Sequence, residues 1–129
     1  MDKSYSEWDF DVVVIGAGGA GLRAAIEASS NGAKVGMISK SMLGKAHTVM
    51  AEGGAAAALA NRDHRDSWKI HFRDTMKGGK YLSDWRMAKV HAQQAPDRIR
   101  ELEQWGAVFD RTSEGKTSQR NFGGHTYPR

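Results

Sequence analysis

Three glycines, Gly16, Gly18 and Gly21, stand in the spacing G-x-G-x-x-G. That spacing suits one task, holding a pyrophosphate on backbone amides. The first glycine permits a sharp turn, the second lets the backbone approach the phosphates, and the third lets a helix pack closely on a strand. The unpaired N–H groups and partial positive charge at the helix start then face the anion. Gly53-Gly54 offers a second such place, at the start of an alanine-rich helix predicted to run through Ala60. Other chemistries are missing. The chain has no cysteine, which removes disulfides, thiolate metal sites and thiol catalysis. No histidine and carboxylate pair has metal-ligand spacing, so no metal is expected. His71 and His91 fall on predicted helix faces and read as packed or surface residues, while His64 sits in a charged connector that faces solvent.

The glycines need a strand before them and a helix after them, and both are present. Val12, Val13, Val14 and Ile15 form an uninterrupted β-branched run, the pattern of a strand buried on both faces of a parallel sheet. Leu22 to Ser30 reads as a small helix whose Ala24, Ala25 and Ala28 let it lie close on that sheet. Asn31-Gly32 ends it. Lys34 to Ile38 is the second strand, parallel to the first by the right-handed crossover rule. The motif alone does not separate NAD from FAD. An ordinary NAD site places Asp or Glu about 20 residues beyond the glycines. Here Ser39 and Lys40 stand at the end of the second strand, which argues against NAD. Ser39 can still hydrogen-bond a ribose hydroxyl, and Lys40 faces either phosphate or solvent. The loop from Ser41 to Gly54 far exceeds the usual βα connection of about 2–6 residues, and long loops in compact folds carry function.

Beyond it, Asn61 to Asp66 is a polar connector. Ser67 caps a predicted helix through Met76, with Trp68, His71, Phe72 and Thr75 on one face. Lys77-Gly78-Gly79-Lys80 breaks it. Ser83 or Asp84 caps a further helix to about Gln94, striped with Trp85, Ala88, His91 and Ala92 or Ala95. Pro96 suits the first turn of another helix, carried by Ile99, Leu102 and Trp105 to a stop at Gly106. Trp68, Trp85 and Trp105 are assigned to core packing. Ala107 to Asp110 is a short strand, Thr112 to Gly115 a hairpin turn, and Lys116 to Arg120 the returning strand.

The 129 residues carry a formal charge of +4, with acids interspersed among the bases. That reads as a solvated surface rather than a nucleic-acid patch, and a mild positive field suits an anionic cofactor. Residues 1–9 form a flexible lead-in without the apolar core of a signal peptide. The most apolar later run, Gly53 to Ala60, is too short to span a bilayer. A cytoplasmic chain is expected. One βαβ unit is visible and the last residues are glycine-rich, so the chain is expected to be the N-terminal piece of a longer protein. Such a piece buries little apolar surface by itself.

Three blocks now coincide: VVVIGAGGAGLRAA, ISKSMLGKAHTVMAEGG and QRNFGGH. Together they closely resemble the N-terminal part of the flavoprotein subunit of succinate dehydrogenase and fumarate reductase, from about Tyr5 to Arg129. DSWKIHFRDTMKGG and APDRIRELEQWGAVFDRT fit the same family. The resemblance implies an α/β fold: a Rossmann-like FAD-binding domain over residues 10–129, truncated, with the beginning of an inserted helical or capping region. It implies that Gly16, Ala17, Gly18, Gly19, Ala20 and Gly21 cradle the FAD pyrophosphate. Ser39, Lys40, Ser41, Gly44, Lys45, Ala46, His47, Thr48, Ala51, Glu52, Gly53 and Gly54 wrap the adenosine and the isoalloxazine side. His47 stands in the H-T-V position, where a histidine is bonded covalently to the 8α carbon of the flavin. Phe122, Gly53 and Gly123 lie toward the dicarboxylate, with Gly124 also allowing close approach. His125 receives no role. Glu52 either interacts near the flavin or lies polar at a helix start, and Arg120 either steers a dicarboxylate or serves the surface.

The implied chemistry is coherent. Oxidising an unactivated CH–CH bond demands a strong oxidant, and attachment of an imidazole, a nucleophile when neutral, withdraws electron density from the ring. The resemblance implies hydride transfer between succinate and flavin N5. It puts the proton-transferring arginine beyond Arg129, so no catalytic residue is expected within this chain. It further implies that an iron–sulfur subunit accepts the electrons, that membrane-anchor subunits are reached indirectly, and that the protein sits on the cytoplasmic face of the membrane. Fumarate reductase is the same chemistry reversed. L-aspartate oxidase and soluble fumarate reductases share the fold but hold FAD noncovalently, and His47 argues against both. A nonenzymatic nucleotide-binding fragment is supported by length alone.

Overall fold

The structure, a computed structural model, describes residues 5–129. Residues 1–4 of the expected lead-in lie outside the described residues. The chain divides into two units, Met1–Gly54 and Ala55–Arg129.

In the first unit the apolar run forms β1, Val12–Ile15, and the second run forms β2, Val35–Ile38. They pair in parallel with Val12 opposite Val35 and Ile15 opposite Ile38. Asp11 ties their beginnings together, its carboxylate accepting from the Lys34 N–H at 2.7 Å. The connecting helix α1 runs Gly19–Ser30, so it starts before Leu22 and takes Gly21 into its first turn. Asn31 is its C-cap, and Gly32, at φ +88°, follows as the left-handed stop. Helix α1 packs against both strands. The expectation of a strand buried on both faces is corrected here: Val13 is 51 % and Ile15 83 % exposed. A two-stranded sheet gives a β-branched run too few neighbours to bury it.

In the second unit, α2 is Trp68–Gly78 and α3 is Trp85–Gln104, and the two pack together. Ser67 stands at the N-cap of α2 without making a side-chain cap bond. Asp84 caps α3, accepting from the Arg86 N–H at 2.8 Å and the Met87 N–H at 3.3 Å. Ala88, Ala92 and Ile99 form the buried stripe of α3, at helical spacing. The two helices expected on either side of Pro96 are one continuous helix. Proline there removes one ladder bond, at a cost of about 3 kcal/mol, which the shared apolar stripe offsets. Trp85 and Trp105, assigned to the core, are half exposed.

Three further expectations are corrected. No helix forms over Gly54 to Ala60. Its backbone is claimed from elsewhere: Gln119 donates to the Ala57 carbonyl at 2.9 Å and accepts from the Asn61 N–H at 2.9 Å. Alanine is the strongest intrinsic helix former, but propensity is a weak preference, and a long-range amide clamp outweighs it. Ala107–Asp110 and Lys116–Arg120 do not form strands. They leave one antiparallel bridge, Arg111 opposite Thr117, closed by the expected turn, in which Thr112 N–H donates to the Lys116 carbonyl at 2.8 Å.

Candidate functional site

The site in the first unit starts at the glycine turn. The Gly16 N–H donates to the Ile38 carbonyl at 2.8 Å, so the chain leaves β1 while still held to β2. It turns at φ +107°, a region that side-chain-bearing residues avoid. At Gly21 the reason is space, since a Cβ would overlap the Gly16 carbonyl oxygen and lie 3.4 Å from Val14 Cγ1. Helix and strand approach this closely only with glycine there. Ala17 is buried under the turn. Gly18 is the N-cap of α1 and offers no side-chain acceptor to the helix amides. The first helical bond comes from the Leu22 N–H to the Gly18 carbonyl at 2.9 Å, which leaves Ala20 and Gly21 outside the helical ladder. No acid stands in the first turn. The arrangement presents amide dipoles to an anion without a competing carboxylate.

The loop after β2 folds back onto this turn. Lys45 N–H donates to the Met42 carbonyl at 3.0 Å and Ser41 Oγ to the Lys45 carbonyl at 3.1 Å, making a local turn around Gly44. A 3₁₀ turn follows, His47–Met50. Within it, Thr48 Oγ1 accepts the Gly19 N–H at 3.0 Å. The H-T-V segment is thereby tied to the first residue of α1. This brings together Gly18, Gly19, Ala46, His47 and Thr48. Ser39, Lys40, Ser41, Gly44, Lys45, Ala51, Glu52, Gly53 and Gly54 continue along the exposed part of the loop. His47 itself is exposed. Glu52 starts no helix, so a role at a helix start is withdrawn.

The Phe122-Gly123-Gly124-His125 segment belongs to the second unit and is anchored there. His125 N–H donates to the Phe122 carbonyl at 3.2 Å, and their rings lie 6.1 Å apart. Thr126 fixes the segment on α2: its N–H donates to Asp74 Oδ2 at 2.8 Å and its hydroxyl to Oδ1 at 2.7 Å. Arg129 is clamped between two buried acids, donating to Asp66 at 2.6 and 3.0 Å and to Asp74 at 2.8 Å. Burial alone would raise the Asp74 carboxyl, but the Thr126 N–H, the Arg129 guanidinium and the Thr126 hydroxyl hold it down at about 2. The His71 ring packs between those of His91, at 5.4 Å, and His125, at 5.9 Å. Burial, then the Arg129 charge and the neighbouring imidazoles, lowers His71 from 6.5 to about 4. Sequence reasoning does not single out Asp66, Asp74, Gln119, Thr126 or Arg129. The one available signal is Asp74 three residues after His71, on the same helix face.

Residues 11–129 match the FAD binding domain family. The chain belongs to that family. One of the subunits of the fumarate reductase (CoM/CoB) of Methanothermobacter marburgensis is 48% identical over 123 residues, 95% of this chain and 22% of that protein. The succinate dehydrogenase flavoprotein subunit of Rickettsia bellii is 48% identical over 128 residues, 98% of this chain and 21% of that protein. Among solved structures, the Mycobacterium smegmatis Sdh1 complex in the apo form holds a chain that is 68% identical, with a TM-score of 0.90. The match covers 93% of this chain and 20% of that one. This chain therefore spans about a fifth of the length of these relatives. The glycine turn fits the cofactor of an FAD binding domain. It is uncapped by any N-cap side chain and free of acids, and a Cβ at Gly16 would meet nothing within 4 Å. Among the described residues, no group of His, Cys, Asp and Glu is arranged to hold a metal ion. Among the same residues, no helix is long and apolar enough to cross a membrane.

Proposed function

We propose that this chain is part of the flavoprotein subunit of a succinate dehydrogenase, with residues 10–129 the N-terminal part of its FAD-binding domain. The observation that carries the reading is the Gly19–Thr48 hydrogen bond, which sets the H-T-V turn beside the phosphate-binding turn. Gly16 to Gly21 form the turn that holds the pyrophosphate, on amides left free at the start of α1 such as those of Ala20 and Gly21. Ser39 and Lys40 meet the adenosine side, and the loop from Ser41 through Gly54 wraps the remainder. His47 carries the covalent attachment. Bound there, FAD supplies a two-electron acceptor for the CH–CH bond of succinate. Attachment through the His47 imidazole withdraws electron density and strengthens that acceptor. Phe122 and Gly123 serve the dicarboxylate, held by the Thr126 and Arg129 anchors on α2. The proton-transferring arginine lies outside this chain. Electrons pass to an iron–sulfur subunit, and the complex docks through its anchor subunits on the cytoplasmic face of the membrane.

The same residues serve fumarate reduction, and the 48% identity to a fumarate reductase subunit supports that direction as the second reading. The assembled full-length complex, supplied with succinate and an artificial electron acceptor, is expected to reduce the acceptor, and L-aspartate is expected to be inert. Oxidation of L-aspartate without turnover of succinate contradicts the proposal.

A further inference from the structure

Burial does not fix the loop that carries His47. Met42, Leu43, Val49 and Met50 are 76 %, 69 %, 63 % and 70 % exposed, so apolar packing supplies little. Lys45, Val49 and Ala51 spend their N–H groups on carbonyls inside the loop, those of Met42, Ala46 and Thr48. The Thr48 hydroxyl is different. It reaches out of the loop to accept the Gly19 N–H at 3.0 Å. Its methyl and hydroxyl also lie against the turn, since a Cβ at Gly19 would stand 3.2 Å from Thr48 Cγ2 and one at Gly18 would stand 3.5 Å from Oγ1. His47 is the adjacent residue of the same 3₁₀ turn, one Cα–Cα step of about 3.8 Å away.

From this geometry we propose that Thr48 is a positioning residue for flavin attachment: by binding Gly19, it fixes His47 relative to the phosphate turn. A hydroxyl accepts and donates at once. While Thr48 Oγ1 accepts from Gly19, its own hydrogen remains available to an anion on the turn. Occupation of the turn and placement of His47 are thereby coupled through one side chain. The inference rests on the proposed linkage through His47. In that linkage an N–C bond replaces a C–H bond at the 8α carbon, and the imidazole and the methyl each release a proton. Two electrons leave to a two-electron acceptor, dioxygen or fumarate. Thr48 takes no part in this bond making. It raises the fraction of time that the imidazole spends within reach.

The test uses the full-length subunit with its native maturation partners, comparing wild type, Thr48→Val and Thr48→Ser. Each apoprotein is incubated with saturating FAD, so that differences in affinity drop out. The rate of covalent incorporation is read as flavin fluorescence in acid-denatured gel bands. Loss of one positioning hydrogen bond is expected to slow Thr48→Val by about five- to tenfold, with Thr48→Ser near wild type. Total FAD after desalting checks that the valine variant still folds and fills. Wild-type rates in Thr48→Val overturn the proposal. So does an equally slow Thr48→Ser, which assigns the effect to the methyl. A wild-type protein without covalent flavin overturns the His47 linkage itself, and the Thr48 proposal with it.

Discussion

His71 shows how one residue couples the second unit to pH. It is 2 % exposed, and its Nδ1 has no hydrogen-bond partner among the described residues. It faces Arg129, His91, His125 and Asp66. Burial and the nearby guanidinium favour the neutral ring, lowering its pKa to about 4. The unfolded chain, with its histidine at about 6.5, therefore binds more protons than the folded one between pH 6.5 and 4. Stability is whole above that window and falls as pH drops through it. His125 is shifted downward for the same first cause, burial, and acts in the same direction. Asp74, held at about 2, adds a further loss only below about pH 4. Denaturant unfolding of the full-length protein at pH 7 and pH 4.5 checks this. His71→Gln is expected to lose a large part of the difference between the two pH values, and an unchanged difference contradicts the assignment.

At the scale of elements, α3 presents the clearest tension between local preference and packing. Pro96 leaves the Ala92 carbonyl without its helical donor, yet the helix continues because Ala88, Ala92 and Ile99 share one buried stripe. Pro96→Ala restores the missing N–H on an unbroken helix. It is expected to raise stability by about 1–3 kcal/mol, seen as a higher melting temperature, whereas a lower one would contradict the assigned cost of the proline. Sequence disclosed the elements whose signals are local: β1, β2, the Gly32 stop and the Asp84 cap. It misread those decided at a distance. Ala55 to Ala60 has helical composition, but the Gln119 amide holds the Ala57 carbonyl and the Asn61 N–H that ends the segment. Ala107 to Asp110 has strand composition, but a single bridge leaves Val108 97 % exposed.

Across the whole molecule, the two candidate sites differed in how much the sequence disclosed. The phosphate turn was legible because each glycine answers a backbone requirement within a few residues. The tie from Thr48 to Gly19 was not, since it joins residues 29 apart in the chain, with α1 and β2 between them. Nor was the Asp66–Arg129–Asp74 clamp, with side chains 1 %, 0 % and 4 % exposed, because nothing in a polar connector marks an acid for burial. Such a charge cluster is costly to break once assembled, which keeps the Phe122 to His125 segment in register on α2. The exposed apolar residues of β1 and β2 mark a surface of the kind that contacts further protein. His47 carries the central claim. Acid-denatured gels of the full-length protein, produced with its maturation partners, measure it directly. Wild type is expected to show a fluorescent flavin band, and His47→Ala to lose that band while retaining FAD released by denaturation. A dark wild-type band, or a band that survives His47→Ala, contradicts the account.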